Sequence, residues 1–199
     1  MSRIFYFLDN PRFYNLVQKI FASNGTKAIA SVLTGLDNGH YNTTVLDVGC
    51  GTGKHVSIFR NCSYTGVDVN QNYLSYASSK YPFGRFIRAD ASRLPFPDKS
   101  FDQVFSACVF HHLSNGQINK TLDEMKRVCK NGGVVCVIDN IFPPKTNVMG
   151  YILFKLDIGK FQRSFKEMET LLTGADFRVV EKLKDTFPSS YCVSKFFKQ

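Results

Sequence analysis

Hydrophobic positions along this chain fall into two alternating patterns. Short, mostly apolar runs of the β type occur at residues 43–49, 63–70, 85–90, 101–110 and 132–139. Segments in which apolar residues recur at helical spacing lie between them, at Lys54–Arg60, Gln71–Lys80 and Asn119–Lys130. Because a parallel connection has to cross over the sheet and usually does so as a helix, this alternation predicts a parallel sheet covered on both faces.

The two ends of the chain extend this pattern. A helix at Ser164–Leu172 is followed by the runs FRVVEKL and YCVSKFF, which predict two closing strands, at least one of them antiparallel. The residues before the first strand predict one or two helices around NPRFYNLVQKIFA, with Gly25 and Gly35 as breaks.

The elements together predict a single domain over residues 1–199. We expect a doubly wound α/β fold with a mostly parallel, seven-stranded sheet and helices on both faces. In this division residues 1–40 form a helical cap, 43–140 form the core, and 141–199 supply substrate-side helices and the closing strands.

Composition limits the partners and the cellular location that this domain can have. The chain has 199 residues, 44% of them hydrophobic, which is enough for one buried core. Its formal charge of +9 suits an anionic partner, but the charge is spread along the chain, so a nucleic-acid partner is disfavoured. The six cysteines contain no C-x-x-C pair, and no apolar run approaches the length of a membrane span. An N-terminal apolar run ends at Asp9–Pro11, short of a signal-peptide core. We therefore expect a cytoplasmic protein with reduced thiols, no metal and no transmembrane segment.

The stretch VLDVGCGTGK at residues 45–54 contains the densest group of glycines, Gly49, Gly51 and Gly53. It follows the first strand, where a turn with unpaired N–H groups lets a ligand approach the main chain. A dinucleotide fingerprint would read G-x-G-x-x-G, whereas here the third glycine comes one residue early and Lys54 follows it. An NAD-type oxidoreductase is therefore the weaker interpretation of this turn.

Four segments in order resemble one family. They are VLDVGCGTG, TGVDVN, FIRADASRLPFPDKSFDQV, and VFHHL with EMKRVCKNGGVVCVID. With these segments, which cover about 45–140, the chain resembles the class I, seven-stranded, Rossmann-like S-adenosylmethionine (AdoMet)-dependent methyltransferases of the type 11 kind. The resemblance implies AdoMet as cofactor, a methyltransferase activity, and an AdoMet-binding core over 43–140.

The resemblance also implies a set of cofactor-binding residues. Asp68, at the end of the second strand, would accept hydrogen bonds from the ribose diol, and its alternative role is a strand-end cap. Asp90 would face the adenine amine and Ala91 would offer a backbone N–H. Asp47 would lie beside the positively charged amino-acid end of the ligand, or would instead be a buried aspartate that hydrogen-bonds the glycine turn. The full set is Asp47, Gly49, Cys50, Gly51, Gly53, Asp68, Val69, Asp90 and Ala91.

His111 and His112 are the candidate catalytic residues. They follow the fourth strand, whose carboxyl end opens onto the crevice of such a sheet. Adjacent residues there point in different directions, so at most one should face the acceptor. Three roles remain open for them: general base, contact to the cofactor or pocket, or structural hydrogen bonding.

The acceptor is less defined by the sequence. The chain lacks the Asn/Asp-Pro-Pro-aromatic run and the Pro-Cys pair that base-modifying relatives carry after strand four, so an RNA methyltransferase is a lesser alternative. The next-best interpretation is a non-catalytic AdoMet-binding or interaction protein, which would keep the glycine turn but have no acceptor pocket. Specificity should then come from FYFLDNPRFYNL near the N-terminus and from the aromatic segment 141–164. That segment is either a lid over the acceptor or an amphipathic helix packed on the sheet edge. As a lid it would cover a small-molecule or lipid-like acceptor that is apolar or anionic. A third hypothesis is that its helix makes a peripheral membrane contact.

Overall fold

Strands and helices alternate through the computed structural model, which describes residues 11, 23–36, 43–144, 146–156, 160–183 and 189–199. The strands are β1 Thr44–Val48, β2 Ser63–Asp68, β3 Arg85–Arg88, β4 Phe101–Ala107, β5 Cys129–Asn140, β6 Val179–Lys182 and β7 Tyr191–Phe197. The helices are α1 Ser23–Thr34, α2 Gln71–Lys80, α3 Asn115–Val128, α4 Val148–Leu156 and α5 Phe165–Gly174. Short 3-10 helices lie at Val56–Phe59 and Phe110–His112.

The strands form one seven-stranded sheet in the order β3-β2-β1-β4-β5-β7-β6. The first five are parallel, and β7 runs antiparallel between β5 and β6. The predicted mixed α/β sheet with an antiparallel closing strand is therefore confirmed. The strand order reverses between β1 and β4, and ligands of open parallel sheets bind at the carboxyl ends of strands at such a point.

Apolar residues are buried on both faces of the sheet. One layer joins Leu46, Val48 and Val104 to the apolar sides of α3 and α5, including Leu122 and Met168. The opposite layer joins the sheet to α1 and the first 3-10 helix, through residues that include Leu33, Phe59, Tyr64 and Phe105. This double cover explains why the central strands read as continuous apolar runs instead of alternating ones.

Two helices on the carboxyl-end side begin with the same side-chain device. Ser114 and Gln117 form a capping box at the start of α3, and Ser164 and Glu167 form one at the start of α5. Each box satisfies N–H groups that the first helical turn leaves unpaired. Helix α3 accordingly begins several residues before the predicted Asn119.

Two predicted features are wrong. The segment Lys54–Arg60 is not an α-helix: turns lead into the 3-10 helix Val56–Phe59. A 3-10 helix places residues three apart on one side, and both Val56 and Phe59 are fully buried. Gly25 is not a break, because it lies within α1, where a Cβ atom would come within 2.4 Å of the Tyr191 ring. Gly35 does follow the end of α1, and most of NPRFYNLVQKIFA lies outside the described residues.

Candidate functional site

The glycine turn after β1 uses its glycines for different purposes. Gly49, Gly51 and Gly53 have φ values of +80°, +53° and +76°, in the left-handed region that favours glycine. A Cβ atom on Gly49 would lie 2.3 Å from Cγ2 of Val109, so packing excludes a side chain there. A Cβ atom on Gly51 would meet nothing within 4 Å. Gly51 therefore faces open space, as a close ligand approach requires.

Asp68 ties the end of β2 to this turn. Its Oδ2 accepts a hydrogen bond from the Gly51 N–H at 2.9 Å, and its Oδ1 accepts one from the Asn70 N–H at 2.8 Å. Burial raises the pKa of Asp68, and these backbone hydrogen bonds oppose that rise. Each carboxylate oxygen has a second lone pair, so Asp68 can still accept hydrogen bonds from a diol. The neighbouring Val69 is 61% exposed.

Asp47 lies below the turn and is almost fully buried. The Tyr64 hydroxyl donates a hydrogen bond to Asp47 Oδ2 at 2.7 Å. Burial raises the pKa of Asp47 to about 7, and the Tyr64 hydrogen bond only partly offsets this. In the described structure its partner is thus Tyr64 and not the glycine turn, which corrects the alternative role expected for it. The Cys50 thiol lies beside Gly66 and the residue is buried, so its side chain packs against β2.

Asp90 lies at the same edge, beyond β3. It is exposed, and its Oδ1 accepts hydrogen bonds from both the N–H and the hydroxyl of Ser92 at 2.8 Å. These hydrogen bonds lower the pKa of Asp90, so the carboxylate is ionised at neutral pH. The Ala89 N–H donates to the Asp68 carbonyl at 3.1 Å, which places the Asp90–Ala91 corner beside the end of β2. The structure therefore brings the predicted cofactor residues onto one edge.

The two candidate histidines occupy different environments. His111 is 4% exposed, and its Nδ1 lies 2.6 Å from Asp139 Oδ1. The His111 backbone N–H also donates to Asp139 Oδ2 at 2.9 Å. His112 is exposed, with its ring centroid 4.0 Å from that of His111. Within the part of the chain that the structure describes, a buried carboxylate holds His111.

Asp139 was missed by the sequence interpretation. It ends the apolar run of β5 and is fully buried. A carboxylate at the carboxyl end of a central strand, on the same edge as a candidate histidine, was the signal that could have identified it.

Arg163 was also missed as a residue that shapes this site. It is 6% exposed and donates five hydrogen bonds, to the carbonyls of Phe110, Leu113 and Phe161 and twice to Asn115 Oδ1. Its guanidinium thereby fixes the loop after β4, which carries His111, to the segment before α5. Nothing in the spacing of the sequence distinguishes this arginine from an exposed one.

Helix α4, which follows β5 in the chain, exposes several apolar side chains. Its first turn is preceded by Asn147, whose side chain accepts a hydrogen bond from the Gly150 N–H. Four of its large apolar side chains are between 44% and 66% exposed: Val148, Met149, Tyr151 and Ile152. The N-terminal segment FYFLDNPRFYNL lies outside the described residues except for Pro11. Among the described helices, none combines the length and hydropathy that a bilayer crossing requires.

Comparisons with known proteins point to one family. A family model for a methyltransferase domain, Methyltransf_11, matches residues 46–137. The tRNA (carboxymethyluridine(34)-5-O)-methyltransferase of Arabidopsis thaliana is 30% identical over 127 residues, which are 63% of this chain and 31% of that protein. The fatty-acid O-methyltransferase of Mycolicibacterium smegmatis is 35% identical over 101 residues, which are 48% of this chain and 36% of that protein. This chain thus spans about a third of each relative.

A solved structure shares the fold over most of the chain. The geranyl diphosphate methyltransferase in complex with S-adenosylmethionine superposes with a TM-score of 0.70 at 13% sequence identity. The match covers 86% of this chain and 85% of that one. At this level of identity the likeness shows the architecture alone.

Proposed function

Because the chain belongs to the class I S-adenosylmethionine-dependent methyltransferases, we propose that it transfers the methyl group of AdoMet to a small, apolar acceptor that carries a hydroxyl or similar nucleophile. The observation that supports this most is the pairing of the open space at Gly51 with the Asp68 carboxylate at the carboxyl edge of the sheet. The six free thiols fit a reducing compartment, and we place the protein in the cytoplasm on that ground.

The residues at the edge match the parts of AdoMet. Asp68 would hold the ribose diol, and the bare backbone at Gly51 would admit the amino-acid end. Asp90 and Ala91 would take the adenine edge, and the exposed Val69 would offer it an apolar contact. Asp47, whose pKa burial raises to about 7, would be ionised by the cationic end of the ligand and would then attract it more strongly than in water. These donor and acceptor types fit the cofactor.

The protein's contribution to the reaction is alignment, exclusion of water and removal of one proton. AdoMet supplies a methyl group already activated on a sulfonium. The acceptor oxygen would form a bond to the methyl carbon, while the carbon–sulfur bond breaks and leaves its electron pair on sulfur. His111 would take the acceptor's proton, since the carboxylate beside it stabilises the resulting imidazolium. Holding both reactants in line can contribute several kcal/mol, of the order of 7–11, to the lowering of the barrier.

The apolar acceptor is inferred from α4. Its side chains at 148, 149, 151 and 152 are apolar and exposed, and the helix follows β5 in the chain. The fatty-acid O-methyltransferase relative supports an acceptor of this kind. The tRNA methyltransferase relative supports the alternative of an RNA acceptor, which the test must include.

Two measurements test this proposal. Isothermal titration should show binding of AdoMet and of its demethylated product but not of NAD⁺, and binding of NAD⁺ alone would contradict the cofactor assignment. Transfer of labelled methyl from AdoMet should then be measured on fatty alcohols, phenols, quinols, fatty acids and RNA. Methylated apolar hydroxyl compounds are the expected result. Methylation of RNA alone would overturn the acceptor class, and binding without transfer to any acceptor would indicate a non-catalytic AdoMet-binding protein.

A further inference from the structure

Asp139 contacts His111 at two points. One carboxylate oxygen lies 2.6 Å from the imidazole Nδ1, and the other accepts the His111 backbone N–H at 2.9 Å. The Asn140 N–H donates to Asp139 Oδ1 at 2.7 Å. Asp139 is fully buried and His111 nearly so. The ring is therefore held both by its backbone and by its side chain.

A buried carboxylate at this distance selects one protonation pattern of the ring. An ionised carboxylate can only accept, so Nδ1 must carry the proton, and Nε2 becomes the acceptor nitrogen of the neutral imidazole. The negative charge also favours the doubly protonated ring, because opposite charges a few ångströms apart stabilise each other strongly when water is excluded. The carboxylate thus opposes the effect of burial, which by itself would disfavour protonation of Nε2.

Other charged or titratable groups pack near the pair. Arg163 fixes the loop of His111 through the Phe110 carbonyl, and its charge also acts on Asp139. His112 is stacked obliquely against His111 on the same loop. Cys192 on β7 pairs with Asp139 in the sheet register, and burial raises the pKa of its thiol to about 12, so it is neutral. Asp139 is therefore the anion that faces the His111 ring in the described structure.

We infer that Asp139 is a positioning residue for methyl transfer: it fixes His111 with the proton on Nδ1 and holds Nε2 ready to accept the proton of the acceptor. This inference rests on the proposed function. During transfer the acceptor's proton passes to Nε2, the Nδ1 proton stays on His111, and Asp139 remains ionised. The positive charge formed on the ring is balanced by the carboxylate.

Nuclear magnetic resonance of the histidine rings tests the pair without any acceptor. In the wild type, His111 should show a protonated Nδ1 and an unprotonated Nε2 above its titration midpoint. In Asp139→Asn the midpoint should fall by about 1–3 pH units, because the neighbouring charge is gone. The variant His112→Gln removes the adjacent ring, so the imidazole signals that remain can be assigned to His111. The ring of His55, which is buried against Phe105, serves as an internal reference for these signals. Finding the proton on Nε2 in the wild type overturns the inference even if Asp139→Asn does not fold.

Kinetics test the consequence for transfer. Asp139→Asn should lower single-turnover methyl transfer by about 10²–10⁴-fold, leave AdoMet affinity unchanged, and move the pH dependence of the rate to lower pH. Asp102→Asn is the matched control, since Asp102 is also a strand carboxylate with its own partners, Thr44 and Lys130. A wild-type rate and pH profile in Asp139→Asn would reject the inference. Absence of transfer by the wild type to every acceptor would reject the proposed function instead, and the ring titration would still decide the role of Asp139.

Discussion

Gly51 and Gly132 allow backbone strain to be separated from ligand contact. Both have positive φ, +53° and +77°, and a Cβ atom on either would meet nothing within 4 Å. Alanine should therefore cost each about 1–2 kcal/mol of stability for the left-handed conformation alone. Only Gly51→Ala should also lower the affinity for AdoMet, because only that methyl group projects into the proposed ligand space.

The measurement is a pair of urea titrations and a pair of AdoMet titrations on these two variants. Similar losses of stability with a selective loss of binding in Gly51→Ala are expected. Equal AdoMet affinity in both variants would show that the open space at Gly51 does not admit the cofactor.

Asp68 supports the turn as well as the proposed ribose contact. Asp68→Ala should weaken the binding of AdoMet by about 2–4 kcal/mol, since it removes two charge-assisted hydrogen bonds. Binding of the demethylated product should weaken by the same amount, because that ligand carries the same ribose. Calorimetric titration of both ligands checks this, with Asp98→Ala, which removes an exposed carboxylate paired to Arg127, as control. Unchanged affinity in a folded Asp68→Ala variant contradicts the ribose assignment.

Arg163 joins two elements that the sequence does not place together. Arg163→Leu would leave the carbonyls of Phe110, Leu113 and Phe161 without this donor. The free energy of unfolding of Arg163→Leu should fall by about 2–4 kcal/mol, because one buried and two partly buried carbonyls lose a hydrogen-bond donor. Arg178→Leu, at an exposed arginine, should change it by no more than about 0.5 kcal/mol. Urea unfolding of both variants measures the difference, and equal losses would show that Arg163 does not fix the loop.

The elements that sequence patterns predicted best are those with a strong local signal. The five parallel strands and α2 were predicted because their apolar runs and spacing reflect burial in the sheet. The segment after Gly53 was not, because its buried pair Val56 and Phe59 fits either a helix or a 3-10 turn. Gly25 was misread because its packing partner, Tyr191, is far away in the chain.

The site divides in the same way. The cofactor residues could be predicted because they follow strands directly and belong to ordered motifs, although their ligand contacts stay predictions. Asp139 and Arg163 could not, because their roles depend on partners brought close only by the fold. Polar side chains that pair over long distances in the chain leave no periodic pattern in the sequence.

The stability of the whole molecule should depend on pH through two buried groups, Asp47 and His55. Burial raises the pKa of Asp47 to about 7 and lowers the pKa of His55 to about 3. The folded state thus binds a proton at Asp47 more tightly than the unfolded chain does. The stability gained from this protonation is present at low pH and is lost as the pH rises through about 7. His55 acts in the opposite sense: its contribution is present above its ordinary value of 6.5 and is lost as pH falls towards 3. Between roughly pH 4 and 6.5 the two should largely cancel.

Asp47→Asn removes one side of this balance while keeping an acceptor for the Tyr64 hydroxyl. Near pH 8 the variant should be more stable than the wild type by roughly 2–4 kcal/mol, since a buried charge is no longer required. Between about pH 6.5 and 4 it should lose stability more steeply, because His55 is then unopposed. Urea unfolding across this range, with His55→Gln as the reciprocal variant, measures both slopes. Parallel profiles for the wild type and Asp47→Asn would show that Asp47 does not titrate near neutrality. If the gain at high pH comes with weaker AdoMet binding, the buried carboxylate is retained for the cofactor at the expense of stability.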